Sequence, residues 1–293
     1  MEKRALGRTG LQVSILGFGA SHIGSDGCSE AEAERVLNRV LDAGINFLDT
    51  ARGYGKSEER IGKLLSHRRG DFVLSTKGGY GVEGVPDWTG ECITRGVEQA
   101  LRLMRTDVID VMHLHSCPQD TLRRWEVVEA LLAAKRAGKI RAAAYSGENA
   151  DRAFAIECGA FDVIQTSVNI CDQRVIAEAL PLTQEKQIGV IAKRPIANAF
   201  WRHAAQPHGD YSEVYWLRNQ AMKLSPEPVG WTEFALRFTA FQPGVSTCIV
   251  GTANMAHLEE NIRQVANGAL PQELVDRTRA AFLREDRDWV GQV

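Results

Sequence analysis

The sequence lacks any apolar run approaching the ~20 residues needed to span a bilayer, and its opening residues, "MEKRALGRTG", lack the apolar core of a secretory signal. A cytoplasmic protein without a membrane partner is therefore expected. There is no excess of positive charge: the formal net charge is −2, which argues against nucleic acid as an obligate partner, because phosphate recognition favours a basic surface. Six cysteines (Cys28, Cys92, Cys117, Cys158, Cys171, Cys248) are scattered with no C-x-x-C pair and no ligand-like His/Cys spacing, so neither a disulfide framework nor a metal site is expected. The dinucleotide fingerprint G-x-G-x-x-G is also missing. "GFGASHIGS" (17–25) reads G-x-G-x-x-x-x-G and does not lead straight into a helix. No linker or low-complexity stretch interrupts the chain, and 1–293 reads as one domain.

What is present is alternation. Strand-like runs occur at 14–20, 46–50, 72–76, 108–114, 141–145, 161–165, 188–192 and 246–250, with amphipathic stretches between them. "SEAEAERVLNRVLDAG" (29–44) predicts a helix capped by Ser29 and stopped at Gly44. "LRRWEVVEALLAAKRAG" (122–138) places Trp125, Val128, Leu131 and Leu132 at helical spacing. Eight strand–helix units with right-handed crossovers close most economically into a (β/α)8 TIM barrel. Two pieces fall outside the alternation. The N-terminal "RALGRTGLQVS" reads as a β-hairpin capping the barrel floor, and an extra C-terminal helix follows the last unit. The stretch 196–230, with Phe200, Trp201, Tyr211, Tyr215 and Trp216, is too long for an ordinary connection. It reads either as a loop folded over the active site or as an extra packed helix.

Chemistry in such a barrel gathers at the C-terminal ends of the strands. In "NFLDTARGYG" (46–55), Asp49 ends an apolar strand and Tyr54 follows on a glycine-flanked loop; Lys77 follows the third strand and His115 the fourth. A buried carboxylate is costly without a compensating cation, and Lys77 is a candidate for that cation. A lysine ammonium held against a tyrosine oxygen favours loss of the phenolic proton, so Tyr54 is placed to give a proton to a carbonyl oxygen and to take one back. His115 would add a second hydrogen bond to the same oxygen. This arrangement has a proton source and an oxyanion site but no electron donor of its own.

The segments "FLDTARGYGKSEERIGKLL", "VLSTKGG", "DVIDVMHLHS", "KIRAAAYSG" and "IVGTANMAHLEENI" resemble, in order, the signature segments of the aldo-keto reductase superfamily. The resemblance implies a nicotinamide cofactor extended across the strand ends and a catalytic tetrad of Asp49, Tyr54, Lys77 and His115, with His113 structural or supporting. It implies further cofactor contacts from Ala20, Asp49, Ser146, Gln165, Lys193, Arg194, Gly251, Thr252, Asn254, His257, Glu260 and Asn261. The Ser-Asn pair usual in the family is Ser146-Gly147 here, leaving Glu148 or Asn149 to replace one contact. Lys193 stands where an aromatic often underlies the nicotinamide, and no Arg or Lys occupies 251–254 to meet a 2′-phosphate. NADP(H) is expected over NAD(H) on family grounds.

Trp88 and Trp201, with Tyr54 and His115, are expected to line a pocket for a small carbonyl or sugar. The sequence stops soon after its last helix, at "DRDWVGQV", which suggests an open pocket without a long C-terminal loop. Two rival readings remain. A Schiff-base aldolase would use Lys77, which must be neutral to attack a carbonyl. A redox-sensing nicotinamide-binding subunit would resemble the reductase-fold β-subunits of potassium channels.

Overall fold

The computed structural model describes residues 1–293. Its strands are Lys3–Ala5 (β1), Gln12–Ser14 (β2), Leu16–Gly19 (β3), Phe47–Asp49 (β4), Val73–Gly78 (β5), Ile109–His115 (β6), Ile140–Ser146 (β7), Val163–Ser167 (β8), Gly189–Lys193 (β9) and Thr247–Val250 (β10). β3 to β10 form a closed barrel in which every neighbouring pair is parallel, and β10 closes against β3. The eight strands coincide with the eight runs read from the sequence.

Because both faces of a barrel sheet are covered, these strands are buried along almost their whole length. The outward faces join the helices in a core of 52 buried residues, while Phe47, Val73, Val111, Ala142, Ala144, Val163 and Ile191 fill the interior. The β1–β2 hairpin closes the floor as expected, pairing antiparallel and inserting Leu6 and Val13 into that interior cluster. The fit is close, since a Cβ on Gly189 would lie 2.8 Å from the Leu6 side chain.

Local signals explain the helix boundaries. Glu30–Asp42 begins with Ser29 and Glu32 as reciprocal caps and ends before Gly44, whose φ is +78°. The stretch 122–138 departs from a single helix. It divides into Gln119–Arg123 and Glu126–Arg136, with Trp125 between them at φ 68° and 38% exposed, so Trp125 does not share the buried face of Val128 and Leu131.

The long 196–230 segment contains a helical turn at Ala197–Arg202 and a helix at Glu213–Met222. It builds a second core of 13 buried residues with Trp231–Ala240 and the C-terminal helix Gln272–Glu285, centred on Phe200, Tyr215, Phe234, Phe238 and Phe282. No helix is long and apolar enough to cross a membrane.

Candidate active site

Parallel pairing sets the strand ends in one layer. Gly19 lies beside Asp49, Asp49 beside Ser75, Lys77 beside His113, His115 beside Ser146, and Ser146 beside Gln165. Asp49 is the hub. Its Oδ2 accepts from Lys77 Nζ at 2.5 Å, and its Oδ1 accepts from Ser75 Oγ at 2.9 Å and Gln165 Nε2 at 3.0 Å. Gln165 Oε1 in turn accepts from Ser146 Oγ at 3.1 Å. Residues read separately as catalytic and as cofactor contacts thus form one hydrogen-bonded chain.

Lys77 also donates to the Thr50 carbonyl at 2.8 Å, and the lysine and Asp49 side chains are each 1% exposed. Burial alone would lower the lysine's proton affinity, but the Asp49 carboxylate and the Tyr54 hydroxyl outweigh it and hold the Lys77 pKa above its ordinary value. The ammonium lies 5.0 Å from the centre of the Tyr54 ring. The Tyr54 loop is held by close backbone contact. A Cβ on Gly24 would fall 1.8 Å from the Tyr54 carbonyl oxygen, and Gly55 adopts φ +54°. The glycines around Tyr54 and in "SHIGS" are therefore what allow this loop to close on the strand end.

His115 meets Tyr54 edge-on, with ring centres 6.1 Å apart. Burial first, and the Lys77 and Lys193 charges second, push its pKa down to about 3, so its imidazole is neutral at physiological pH. His113 sits one layer deeper on the same inward face. Ser75 Oγ spends its only proton on Asp49, so His113 Nε2–H donates to that oxygen at 3.1 Å, leaving His113 Nδ1 without a partner. His113 thus supports the hub from below.

Tyr54, Asp49, His115, Ser146, Gln165, Lys193, Arg194 and Gly251 line one cavity of about 420 Å³. The residue missing from the Ser-Asn pair has a local cause: a Cβ at Gly147 would lie 2.4 Å from the Tyr145 hydroxyl oxygen. Neither proposed replacement faces this space. Asn149 exchanges hydrogen bonds with Gly291, and Glu148 is buried. Glu148 accepts from Thr166 Oγ1 at 2.6 Å and from Ser167 N and Oγ at 2.8 and 2.9 Å, and it sits 3.3 Å from Lys193 Nζ and 3.7 Å from Arg194. It anchors the two cations instead. Arg194 also donates to Ser167 Oγ and to the Tyr211 hydroxyl.

The other expected positions divide. Ala20 is buried and donates its N–H to the Asp49 carbonyl. Asn254 caps the helix Met255–Ala266, on which His257 is exposed, Glu260 accepts from Gln264, and Asn261 is buried; Thr252 is buried in the preceding loop. None of these lines the cavity. Trp201 departs from its expected place. It stacks on Trp231 at 5.6 Å and joins the second core, because a partner outside its own segment captures it. Trp88 lies behind the wall, edge-on to Tyr80 at 6.0 Å. The cavity also reaches Val293. The final residues are held beside it, with Arg194 and Arg218 bonded to the carbonyls of Gln292 and Val290, so the pocket expected to be open without a long C-terminal loop carries a short C-terminal edge.

Tyr80 and Ser75 were not singled out from the sequence, and Glu148 was named only as a replacement cofactor contact, not as the anchor of Lys193 and Arg194. Tyr80 carried a signal, since "GYG" occurs at 53–55 and again at 79–81.

The donor set fits a nicotinamide dinucleotide. Ser146 and Gln165 offer hydroxyl and amide groups suited to a carboxamide, and Lys193 and Arg194 offer cations suited to a pyrophosphate. Gly251 lines the same cavity and packs directly on β3, since a Cβ there would lie 2.6 Å from the Gly19 carbonyl oxygen.

Known proteins share this fold and family. The profile of the Aldo/keto reductase family matches residues 15–282. The chain is 29% identical to the L-galactose dehydrogenase of Arabidopsis thaliana, over 90% of this chain and 88% of that one. It is 28% identical to a probable voltage-gated potassium channel β-subunit of the same plant, over 90% and 91% of the two chains. It superposes on the holo form of an aldo-keto reductase from Bacillus halodurans with a TM-score of 0.83, at 29% identity and covering 96% of each chain. With a barrel whose strand ends set Asp49, Tyr54 and His115 around one cavity with Lys77 buried against Asp49, and a profile match across most of its length, this chain belongs to the aldo/keto reductase family.

Proposed function

We propose that the chain is an NAD(P)(H)-dependent oxidoreductase that reduces an aldehyde or ketone, or oxidises a sugar or alcohol, with Tyr54 as the general acid and base. The observation that carries the reading is the buried Lys77–Asp49 pair, with Tyr54 and His115 converging on the same cavity. A bound nicotinamide supplies or accepts the hydride. In the reducing direction Tyr54 gives its hydroxyl proton to the carbonyl oxygen, and in the oxidising direction it takes that proton from the alcohol. Lys77 stabilises the negative charge that Tyr54 carries afterwards. Asp49 keeps Lys77 charged and fixed, and neutral His115 donates a hydrogen bond to the reacting oxygen rather than a proton. The same charged state opposes the aldolase reading, because a Schiff base needs Lys77 neutral.

NADP(H) is favoured over NAD(H) on family grounds alone, since Lys193 and Arg194 suit a pyrophosphate that both cofactors carry and 251–254 offers no guanidinium to a 2′-phosphate. A small polar carbonyl or sugar suits a cavity with few apolar walls, and the name of the plant L-galactose dehydrogenase points the same way. The resemblance to a channel β-subunit keeps a cytoplasmic redox-sensing role as the second reading. The test is quenching of tryptophan fluorescence by NADPH and by NADH, followed by turnover with glyceraldehyde. Binding with turnover is expected. Binding of either nucleotide without turnover of any carbonyl or sugar favours the sensor, and binding of neither overturns both.

A further inference from the structure

Tyr80 is half-buried just beyond β5, in the second "GYG" of the sequence. Its hydroxyl lies 2.6 Å from His115 Nδ1, and its ring stacks on the imidazole with centres 5.7 Å apart and planes 29° apart. The loop around it holds that pose. Trp88 meets the Tyr80 ring edge-on, the Trp88 backbone N–H donates to the Gly79 carbonyl at 2.7 Å, and Gly81 N–H donates to Asp87 at 2.8 Å. Gly79 is the residue that allows it, with φ +128° and a Cβ position only 2.1 Å from the Trp88 ring. The Tyr80 hydroxyl has no other side-chain or backbone partner in the chain, so His115 Nδ1 is the one protein acceptor open to its proton, and which of the two groups donates follows the His115 tautomer. Burial raises the Tyr80 pKa above its ordinary value, so the phenol keeps that proton.

In a neutral imidazole one nitrogen accepts and the other donates, and the hydrogen bond made by the first decides which. The geometry points to Tyr80 as a positioning residue that holds His115 as the Nε2–H tautomer with a fixed ring orientation. His115 Nε2 makes no hydrogen bond within the chain, and His115 lines the catalytic cavity beside Tyr54. Its proton is therefore presented to the reacting oxygen. Without Tyr80 the proton distributes over both ring nitrogens, and the Nδ1–H form places a lone pair where the oxygen needs a donor. Two glycine-flanked tyrosines thus serve one oxygen: Tyr54 gives it a proton, and Tyr80 orients the histidine that steers it. This role rests on the oxidoreductase reading of His115.

The test is the Tyr80→Phe variant, which keeps the ring and removes the hydroxyl. Nitrogen-15 NMR of histidine-labelled protein reads the tautomer directly, with His115 assigned by its absence in His115→Gln. The expected result is Nε2–H in the parent protein and a mixed or Nδ1–H form in Tyr80→Phe. Turnover of glyceraldehyde with NADPH should fall about tenfold with KM little changed, the size of one hydrogen bond. In the His115→Gln background the same substitution should cost nothing further, because a residue acting only through His115 has nothing left to act on. An Nδ1–H tautomer in the parent, an unchanged tautomer in Tyr80→Phe, or an equal loss in both backgrounds overturns the assignment. The tautomer result decides the matter even where no carbonyl turns over, so a failure of the oxidoreductase reading is told apart from a failure of this one.

Discussion

Two lysine–carboxylate pairs stand on opposite sides of the barrel mouth, the fully buried Lys77 with Asp49 on β5 and β4, and the part-buried Lys193 on β9 with Glu148 just past β7. They share a chemistry and differ in how the carboxylate is used. Asp49 accepts from Lys77 at 2.5 Å, and the Asp49 carboxylate and Tyr54 hydroxyl together hold the lysine pKa above its ordinary value. Glu148 is already bonded to Thr166 and Ser167, leaving Lys193 at 3.3 Å. There burial wins over Glu148, and the Lys193 pKa is lowered. A buried cation is therefore fixed when the carboxylate commits an oxygen to it, and remains available when the carboxylate is shared. In the proposed function Lys77 serves the proton transfer, and Lys193 is the cation left to meet an incoming anion.

The largest expected effect follows from breaking the tighter pair. Lys77→Met leaves Asp49 buried without its cation, and the loss in equilibrium urea unfolding should be ~3–5 kcal/mol, with activity abolished. Lys193→Met should cost no more than ~1 kcal/mol, since Glu148 keeps its three other donors and Arg194. Similar losses for the two variants would dissolve the distinction.

Alkaline pH sharpens the same comparison through opposite signs. The folded-state pKa of Lys193 lies below its unfolded value of 10.5, so the unfolded chain binds more protons between the two. Stability from Lys193 therefore rises with pH up to about 10.5. The folded-state pKa of Lys77 lies above 10.5, so its contribution is complete below that value and is lost as pH rises through the folded one. Unfolding at about pH 8 and about pH 10 should show the parent gaining stability relative to Lys193→Met. No relative gain would mean that Lys193 is not desolvated.

Much of this mouth was legible in the sequence because strand ends are local features. Asp49, Lys77, His115, Ser146 and Gln165 each close an apolar run, and parallel register brings them together without further information. The capping box at Ser29 and Glu32 is equally local. Contacts whose partners lie far along the chain were not legible. Glu148 and Lys193 are separated by an intervening strand and helices, and Tyr80 meets His115 across 35 positions. Trp201 was misplaced for the same reason, since Trp231, which captures it, lies outside the aromatic stretch that drew attention to it. At Trp125 the helical spacing was sound, but a left-handed backbone at that residue broke the helix there.

The central claim is that Tyr54 supplies the proton while the Lys77–Asp49 pair keeps the charge in place, and the most direct measurement is kcat of Tyr54→Phe beside its nucleotide affinity. The account predicts unchanged NADPH binding by fluorescence titration, with kcat for glyceraldehyde lower by ~10²–10⁴-fold. A variant that binds NADPH normally and keeps more than about a tenth of the parent rate would contradict it, because a proton donor in the transition state cannot be removed so cheaply.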